Sequence, residues 1–368
     1  LTPAVPPDRP PPRASSRPEP LRVLIAEDSL VTQQFLADRM ACEPDVQVAG
    51  RAADGEEALR LALQLQPDLI CLDLEMPRMN GFTVLRVLMA KQPAPVIVVS
   101  SNTRKEDVFK ALELGALDFV AKPEGGGDLS ALARELASKL TMVRALRVPA
   151  ARRRAGTRED PPAPLPPARR AGVRASRLVV IGASTGGPAA LSRLFASLPP
   201  LPLAFAVAQH MPERFTATFA QRLAKLSGLD VLEAEGGMDL VDGRVLVSPG
   251  GWHLKLSRAG GPLGPLRSVL VARDVAGRRY CPSVDLLFES AAEAMGSRVC
   301  AVVLTGMGND GRSGVEAVKE AGGRVLAESE ESAVVYGMPK EAVETGKVDA
   351  VIPLAEIPAR LARFAEGR

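Results

Sequence analysis

Leu178-Val179-Val180-Ile181-Gly182-Ala183-Ser184-Thr185-Gly186-Gly187-Pro188 is an apolar run that ends at a serine set among glycines. A run of aliphatic residues this dense reads as a strand buried on both faces, and the Gly-Gly-Pro behind it opens a helix. The stretch is therefore a strand-turn-helix unit of an α/β sheet. Gly182 to Gly186 fits G-x-S-x-G, in which small neighbours allow a sharp turn that presents the serine hydroxyl beside a helix N-terminus. The free N–H groups there suit an oxyanion. Two plainer readings compete: a glycine turn whose serine only caps the helix, and a phosphate-binding loop. Gly182, Gly186 and Gly187 do not have the spacing G-x-G-x-x-G, and no G-x-x-x-x-G-K followed by Ser or Thr occurs, so the phosphate reading loses ground.

A nucleophilic serine needs a base, and the chain has two histidines. His210 follows the apolar run Leu203 to Gln209, which reads as the next strand, so it lies at a strand's C-terminal end, where ligands of open parallel sheets gather. His253, in Ser248-Pro249-Gly250-Gly251-Trp252-His253, is the runner-up and reads equally as an exposed loop residue or a substrate contact. The acid that orients the imidazole is best assigned to Asp310, which follows a third apolar run, Val299 to Leu304. A helix cap is its alternative role. Asp285 is a weaker rival because it falls in the first turn of a helix, where an acid is favoured in any case.

Five segments now resemble one family. Gly-Ala-Ser-Thr-Gly-Gly-Pro at 182 to 188, Gln-His-Met-Pro at 209 to 212, Pro-Ser-Val-Asp at 282 to 285, Leu-Thr-Gly-Met-Gly-Asn-Asp-Gly at 304 to 311 and Val-Tyr-Gly-Met-Pro at 335 to 339 are similar to the catalytic domain of the bacterial chemotaxis protein-glutamate methylesterases, the CheB family. The resemblance implies that Ser184 attacks the γ-carbonyl of a glutamate methyl ester on a methyl-accepting chemoreceptor, that His210 takes its proton, and that Asp310 orients His210. It implies receptor glutamine deamidation by the same machinery, the backbone N–H of Met307 as an oxyanion donor, and no cofactor for ester hydrolysis. The chain departs from the family pattern at Arg278-Arg279-Tyr280-Cys281-Pro282, where relatives read closer to Asn-Arg-His-Arg-Pro. That change bears on the substrate groove and on receptor choice, and leaves the triad intact.

The N-terminal half carries a second site. Strand-like runs stop at polar residues: Leu21 to Ala26 before Glu27-Asp28, Leu69 to Leu72 before Asp73, Val96 to Val99 before Ser100, and Phe119 to Ala121 before Lys122, with Val46 to Ala49 as a fifth run. Helical patterns alternate with them, which predicts a doubly wound parallel sheet whose carboxyl edge gathers these side chains. Three carboxylates drawn together repel one another unless a hard cation joins them through oxygen ligands, so a metal is implied. A lysine and a hydroxyl suit phosphoryl oxygens, and a central aspartate suits phosphoryl transfer to itself. Asp73-Leu-Glu-Met76-Pro77-Arg-Met-Asn-Gly81, Glu27-Asp28, Ser100 and Lys122-Pro123 make this half similar to the receiver domain of response regulators, a flavodoxin-like fold. The resemblance implies phosphorylation of Asp73 by a CheA-type histidine kinase and Mg2+ on Glu27, Asp28, Asp73 and the backbone carbonyl of Glu75. It places Ser100 and Lys122 on the phosphoryl group. Phe119 falls where the family often has an aromatic switch residue, and reads equally as core.

The expected organisation is a proline-rich tail (1–20), a receiver (21–143), a linker (144–177) and a methylesterase α/β domain (178–368), both domains being doubly wound parallel sheets. A chain of 368 residues, 46% hydrophobic and 24% charged, suits two such domains. Residues 144–177 hold ten arginines and two acids in a chain of net charge +3, with prolines at 161, 162, 164, 166 and 167. The basic character thus belongs to a semi-extended tether, and nucleic acid is not expected as a partner. Eight prolines in residues 1–20 and a first residue Leu1 suggest a disordered tail, a truncated chain or an uncertain start, with no signal-peptide pattern. No 18-residue apolar stretch occurs, so membrane contact is expected only through receptors. Cys42, Cys71, Cys281 and Cys300 form no C-x-x-C, which points to reduced thiols and a cytoplasmic location.

Overall fold

The computed structural model describes residues 19–100, 105–122, 130–146, 174–275 and 278–367. Nearly all of the expected tail and residues 147–173 of the expected linker lie outside the described residues.

In the N-terminal domain, β1 (Leu21–Ala26), α1 (Leu30–Ala41), β2 (Val46–Ala52), α2 (Gly55–Leu65), β3 (Leu69–Leu72), α3 (Gly81–Lys91), β4 (Val96–Ser100), α4 (Lys105–Glu113), β5 (Asp118–Ala121) and α5 (Ser130–Leu146) alternate along the chain. The strands pair in parallel in the order β2-β1-β3-β4-β5. Central strands carry wholly buried runs because helices cover both faces: β3 and β4 bury every residue. Helix starts follow local capping chemistry, with Ser29, Asp54 and Asn80 each accepting a backbone N–H from the first turn. Those caps fix where the loops at the carboxyl edge end.

The C-terminal domain runs β6 (Leu178–Ala183), α6 (Gly187–Ser197), β7 (Ala204–Gln209), α7 (Glu213–Ser227), β8 (Asp230–Glu233), β9 (Arg244–Val247), β10 (Trp252–Arg258), β11 (Leu266–Ala272), α8 (Val284–Met295), β12 (Val299–Val303), α9 (Arg312–Glu320), β13 (Arg324–Glu328), α10 (Met338–Glu344), β14 (Ala350–Ile352) and α11 (Ile357–Ala365). Seven strands form a parallel sheet in the order β14-β13-β12-β6-β7-β9-β8, while β10 and β11 form a separate antiparallel pair. The strand order reverses direction around β6: the chain leaves it toward β7 and returns on its other side as β12. A crevice opens at such a switch point, outside the carboxyl ends of the strands. Ser184 follows β6, His210 follows β7, and Asp310 lies in the loop after β12.

The domains meet through aromatic rings. Phe109 of α4 stacks on Phe219 of α7 with centroids 5.5 Å apart and meets Phe215 edge-on at 6.4 Å, and Phe119 of β5 lies 4.6 Å from Phe215. Glu113 pairs with Arg222 beside them. Phe119, read as either core or switch, is therefore buried against the other domain.

Candidate functional site

At the carboxyl edge of the larger sheet, Asp310 is the most constrained side chain. Its Oδ2 lies 2.8 Å from His210 Nε2 and accepts the N–H of Val284 at 2.7 Å, while Oδ1 accepts from Ser283 Oγ at 3.1 Å and from the N–H of Asp285 at 3.0 Å. Burial alone would raise this carboxyl. The bond to His210, that imidazole's charge and the N–H groups of Asp285 and Val284 outweigh burial and hold it below its ordinary value. Asp310 is thus an ionised acceptor, so His210 carries its proton on Nε2 and leaves Nδ1 as the basic nitrogen.

Asp285 is spent elsewhere, its Oδ1 accepting the N–H groups of Gly311 and Gly314 at the start of α9. His253 is fully buried, and the N–H of Ser283 donates to its Nδ1 at 3.2 Å. Burial, the largest influence, lowers its basicity. It is neither an exposed loop residue nor a substrate contact. It is the floor beneath the Ser283 turn whose hydroxyl reaches Asp310, a placement hidden in sequence because the β10–β11 hairpin folds back under α8.

Ser184 stands at the N-terminal end of the turn into α6, whose cap Gly186 has φ of +76°, a left-handed conformation that glycine adopts freely. The Ser184 N–H donates to Thr305 O, and the N–H of His210 donates to Ala183 O, so the three catalytic-candidate loops are tied at backbone level. Gln209, missed in sequence, adds a staple: its Nε2 donates to the carbonyls of Ser184 at 2.8 Å and His210 at 3.0 Å. Among the described residues the Ser184 hydroxyl makes no hydrogen bond to His210. The loop after β12 passes so close that a Cβ on Gly306 would lie 2.7 Å from Ser184 Cβ. Met307 follows, and its N–H has no acceptor among the described residues. Buried Glu328 secures this loop by accepting the Thr305 N–H at 2.8 Å, and Thr305 Oγ1 donates to Thr185 O at 2.9 Å. A glutamate at a strand end gives no sequence cue to that role.

The second site lies at the carboxyl edge of the smaller sheet. Carboxylate oxygens of Glu27, Asp28 and Asp73 all fall within 4.8 Å of one another. Lys122 Nζ is 2.6 Å from Asp73 and 2.7 Å from Glu27. Burial, the leading influence, nevertheless raises both the Glu27 and Asp73 carboxyls, opposed by Lys122. One lysine leaves this buried charge under-compensated, and an all-oxygen donor set suits Mg2+. Asp73 Oδ1 accepts the Glu75 N–H at 3.1 Å, and buried Ser100 ends β4 next to β5 and Lys122.

Comparison with known proteins gives a family for each half of the chain. The CheB methylesterase family matches residues 179–361, and the response regulator receiver domain matches residues 23–134. Protein-glutamate methylesterase/protein-glutamine glutaminase 6 of Anaeromyxobacter dehalogenans is 54% identical over 348 residues, covering 94% of this chain and 96% of its own. The corresponding protein 3 of Geobacter sulfurreducens is 45% identical, covering 91% and 94%, and protein 1 of Myxococcus xanthus is 43% identical, covering 95% and 98%. With a receiver and a methylesterase domain matched in order across nearly its whole length, the chain belongs to the CheB family of protein-glutamate methylesterases/protein-glutamine glutaminases.

Proposed function

We propose that the protein hydrolyses glutamate methyl esters on methyl-accepting chemoreceptors, deamidates receptor glutamines, and is switched by phosphorylation of Asp73. It would act in the cytoplasm, peripheral to the membrane, with a CheA-type kinase as phosphodonor. Among the described residues no helix is long and apolar enough to cross a membrane.

The observation that carries the catalytic reading is the four-bonded Asp310 on His210 Nε2, one strand from Ser184. In this reading the serine hydroxyl gives its proton to Nδ1 as Oγ attacks the ester carbonyl. The carbonyl oxygen becomes an anion that the Met307 N–H would receive; losing such a donor costs about 3 kcal/mol of transition-state stabilisation. Collapse expels methanol, or ammonia from an amide, with the proton returned by His210. Water activated at the same nitrogen then cleaves the acyl-serine. Asp310 stays ionised throughout and stabilises the imidazolium.

In the receiver, Glu27, Asp28, Asp73 and the Glu75 carbonyl would hold Mg2+, which neutralises charge on an incoming phosphoryl group. Ser100 and Lys122 would bind its oxygens. The regulatory reading is supported by Val335 of the catalytic domain, which joins the apolar cluster of Leu117, Val120, Leu132 and Leu136, with Met307 packed against it. The oxyanion loop and the receiver therefore share one packed surface. A hundredfold activation needs only about 2.7 kcal/mol of differential domain contact.

Methanol release from methylated receptor membranes tests both parts. Ser184→Ala should abolish it, and Asp73→Asn should keep the basal rate but lose stimulation by a small-molecule phosphodonor. Full activity in the serine variant would end the hydrolase reading; undiminished stimulation in the aspartate variant would end the regulatory one.

A further inference from the structure

Tyr280 lies in the segment that leads into the Ser283 turn, and its ring stacks face to face on His210, with centroids 5.0 Å apart and planes 4° from parallel. The far end of the same side chain meets the oxyanion loop: a Cβ on Gly308 would lie 2.3 Å from the Tyr280 hydroxyl. Arg279 places its guanidinium carbon 5.4 Å from the tyrosine ring centre, which helps hold the ring in place. The segment ends at Pro282, directly before Ser283 and Val284, both bonded to Asp310. Tyr280 thus touches both the His210 ring and the loop that carries Met307.

We propose that Tyr280 is a positioning residue for His210, a flat aromatic platform that fixes the imidazole plane and receives the positive charge the ring acquires while it holds the serine proton. The proposal rests on the Ser184-His210-Asp310 reading. The bond to Asp310 leaves His210 a residual freedom: it anchors one nitrogen, and rotation about it would swing Nδ1 away from Ser184. A parallel ring over one imidazole face blocks that rotation. It also offers the electron-rich face of a phenol to an imidazolium, an attraction that appears only when the proton has been taken. An interaction of this kind favours the transition state over the bound ester, so it should enter kcat and leave KM nearly unchanged.

The test uses the full-length protein and the variants Tyr280→Leu, Tyr280→Phe and Tyr280→His. The expected result is a kcat for methanol release lowered roughly tenfold by leucine at nearly constant KM, and restored to within about twofold by phenylalanine or histidine. A leucine variant with unaltered kcat, a loss confined to KM, or a phenylalanine variant as slow as leucine would overturn the role. An independent readout comes from NMR, since the chain has two histidines. His210 ring protons should be shifted upfield by the stacked ring in wild type and in Tyr280→Phe, and return downfield in Tyr280→Leu. Unchanged signals from buried His253 would report that the fold is intact. Absence of the upfield shift in wild type would sink the stack whatever the activity, whereas a wild type that stacks but releases no methanol would sink only the hydrolase reading.

Discussion

Asp310 shows how one side chain can be set by its neighbours. Its folded carboxyl lies below the ordinary 3.8, so its ionised form stabilises the folded domain at every pH above that value, and the contribution is lost as pH falls through the depressed folded value. Asp310→Asn should therefore melt at a lower temperature than wild type near neutral pH, with the gap closing in acid below 3.8. Its kcat should fall by roughly 10³- to 10⁴-fold, because an amide can neither fix the Nε2–H tautomer nor stabilise the imidazolium. Thermal melts across pH beside methanol-release kinetics would check this, and a variant within tenfold of wild-type kcat would count against the role. Asp310 was legible in sequence because it follows a buried strand at the same edge as Ser184 and His210. The partners that hold it were not: Ser283 reaches it from another part of the chain, its turn seated on His253, and neither residue carries a local signal for that arrangement across α8 and β10.

Among the elements, the turn between β12 and α9 does the most with the least material. Gly306 passes Ser184 at a distance where a Cβ would lie 2.4 Å from Met338 Sδ, 2.7 Å from Ser184 Cβ and 3.0 Å from Ser184 N. Gly306→Ala must push the Met307 loop away from the serine, and a displacement approaching 1 Å costs about 10²-fold in rate. The expected result is a large fall in kcat with native circular dichroism; an active alanine variant would show that the loop is not held against Ser184. The strands with dense apolar runs were plain, β1 and β3 to the residue, whereas β8, β9, β11, β13 and β14 were not read from the sequence. The Val46 to Ala49 run was read short, since β2 continues through Gly50 and Arg51 to Ala52. A glycine and an arginine interrupt the apolar signal, yet the backbone pairing with β1 persists.

For the whole molecule, the contact between domains is aromatic at its centre and ionic at its margin. Phe215 and Phe219 lie one helical turn apart on α7, a spacing that any core-facing helix has; only the assembled structure shows that they bury themselves against Phe109 and Phe119. Glu113 is on the margin, half exposed and paired with Arg222, whose basicity burial lowers. Glu113→Arg would set two like charges together without disturbing either core. If the receiver restrains the esterase, this variant should raise the unphosphorylated rate about fivefold, equivalent to roughly 1 kcal/mol, and shrink the further gain on adding phosphodonor. A basal rate at or below that of wild type would argue against restraint through this contact. The chain order of the larger sheet carries one more consequence. Ser184, His210 and Asp310 issue from three adjacent central strands, while β8 and β14 form the outer borders. Insertions or substitutions confined to those borders should therefore leave the backbone geometry of the three central loops in place.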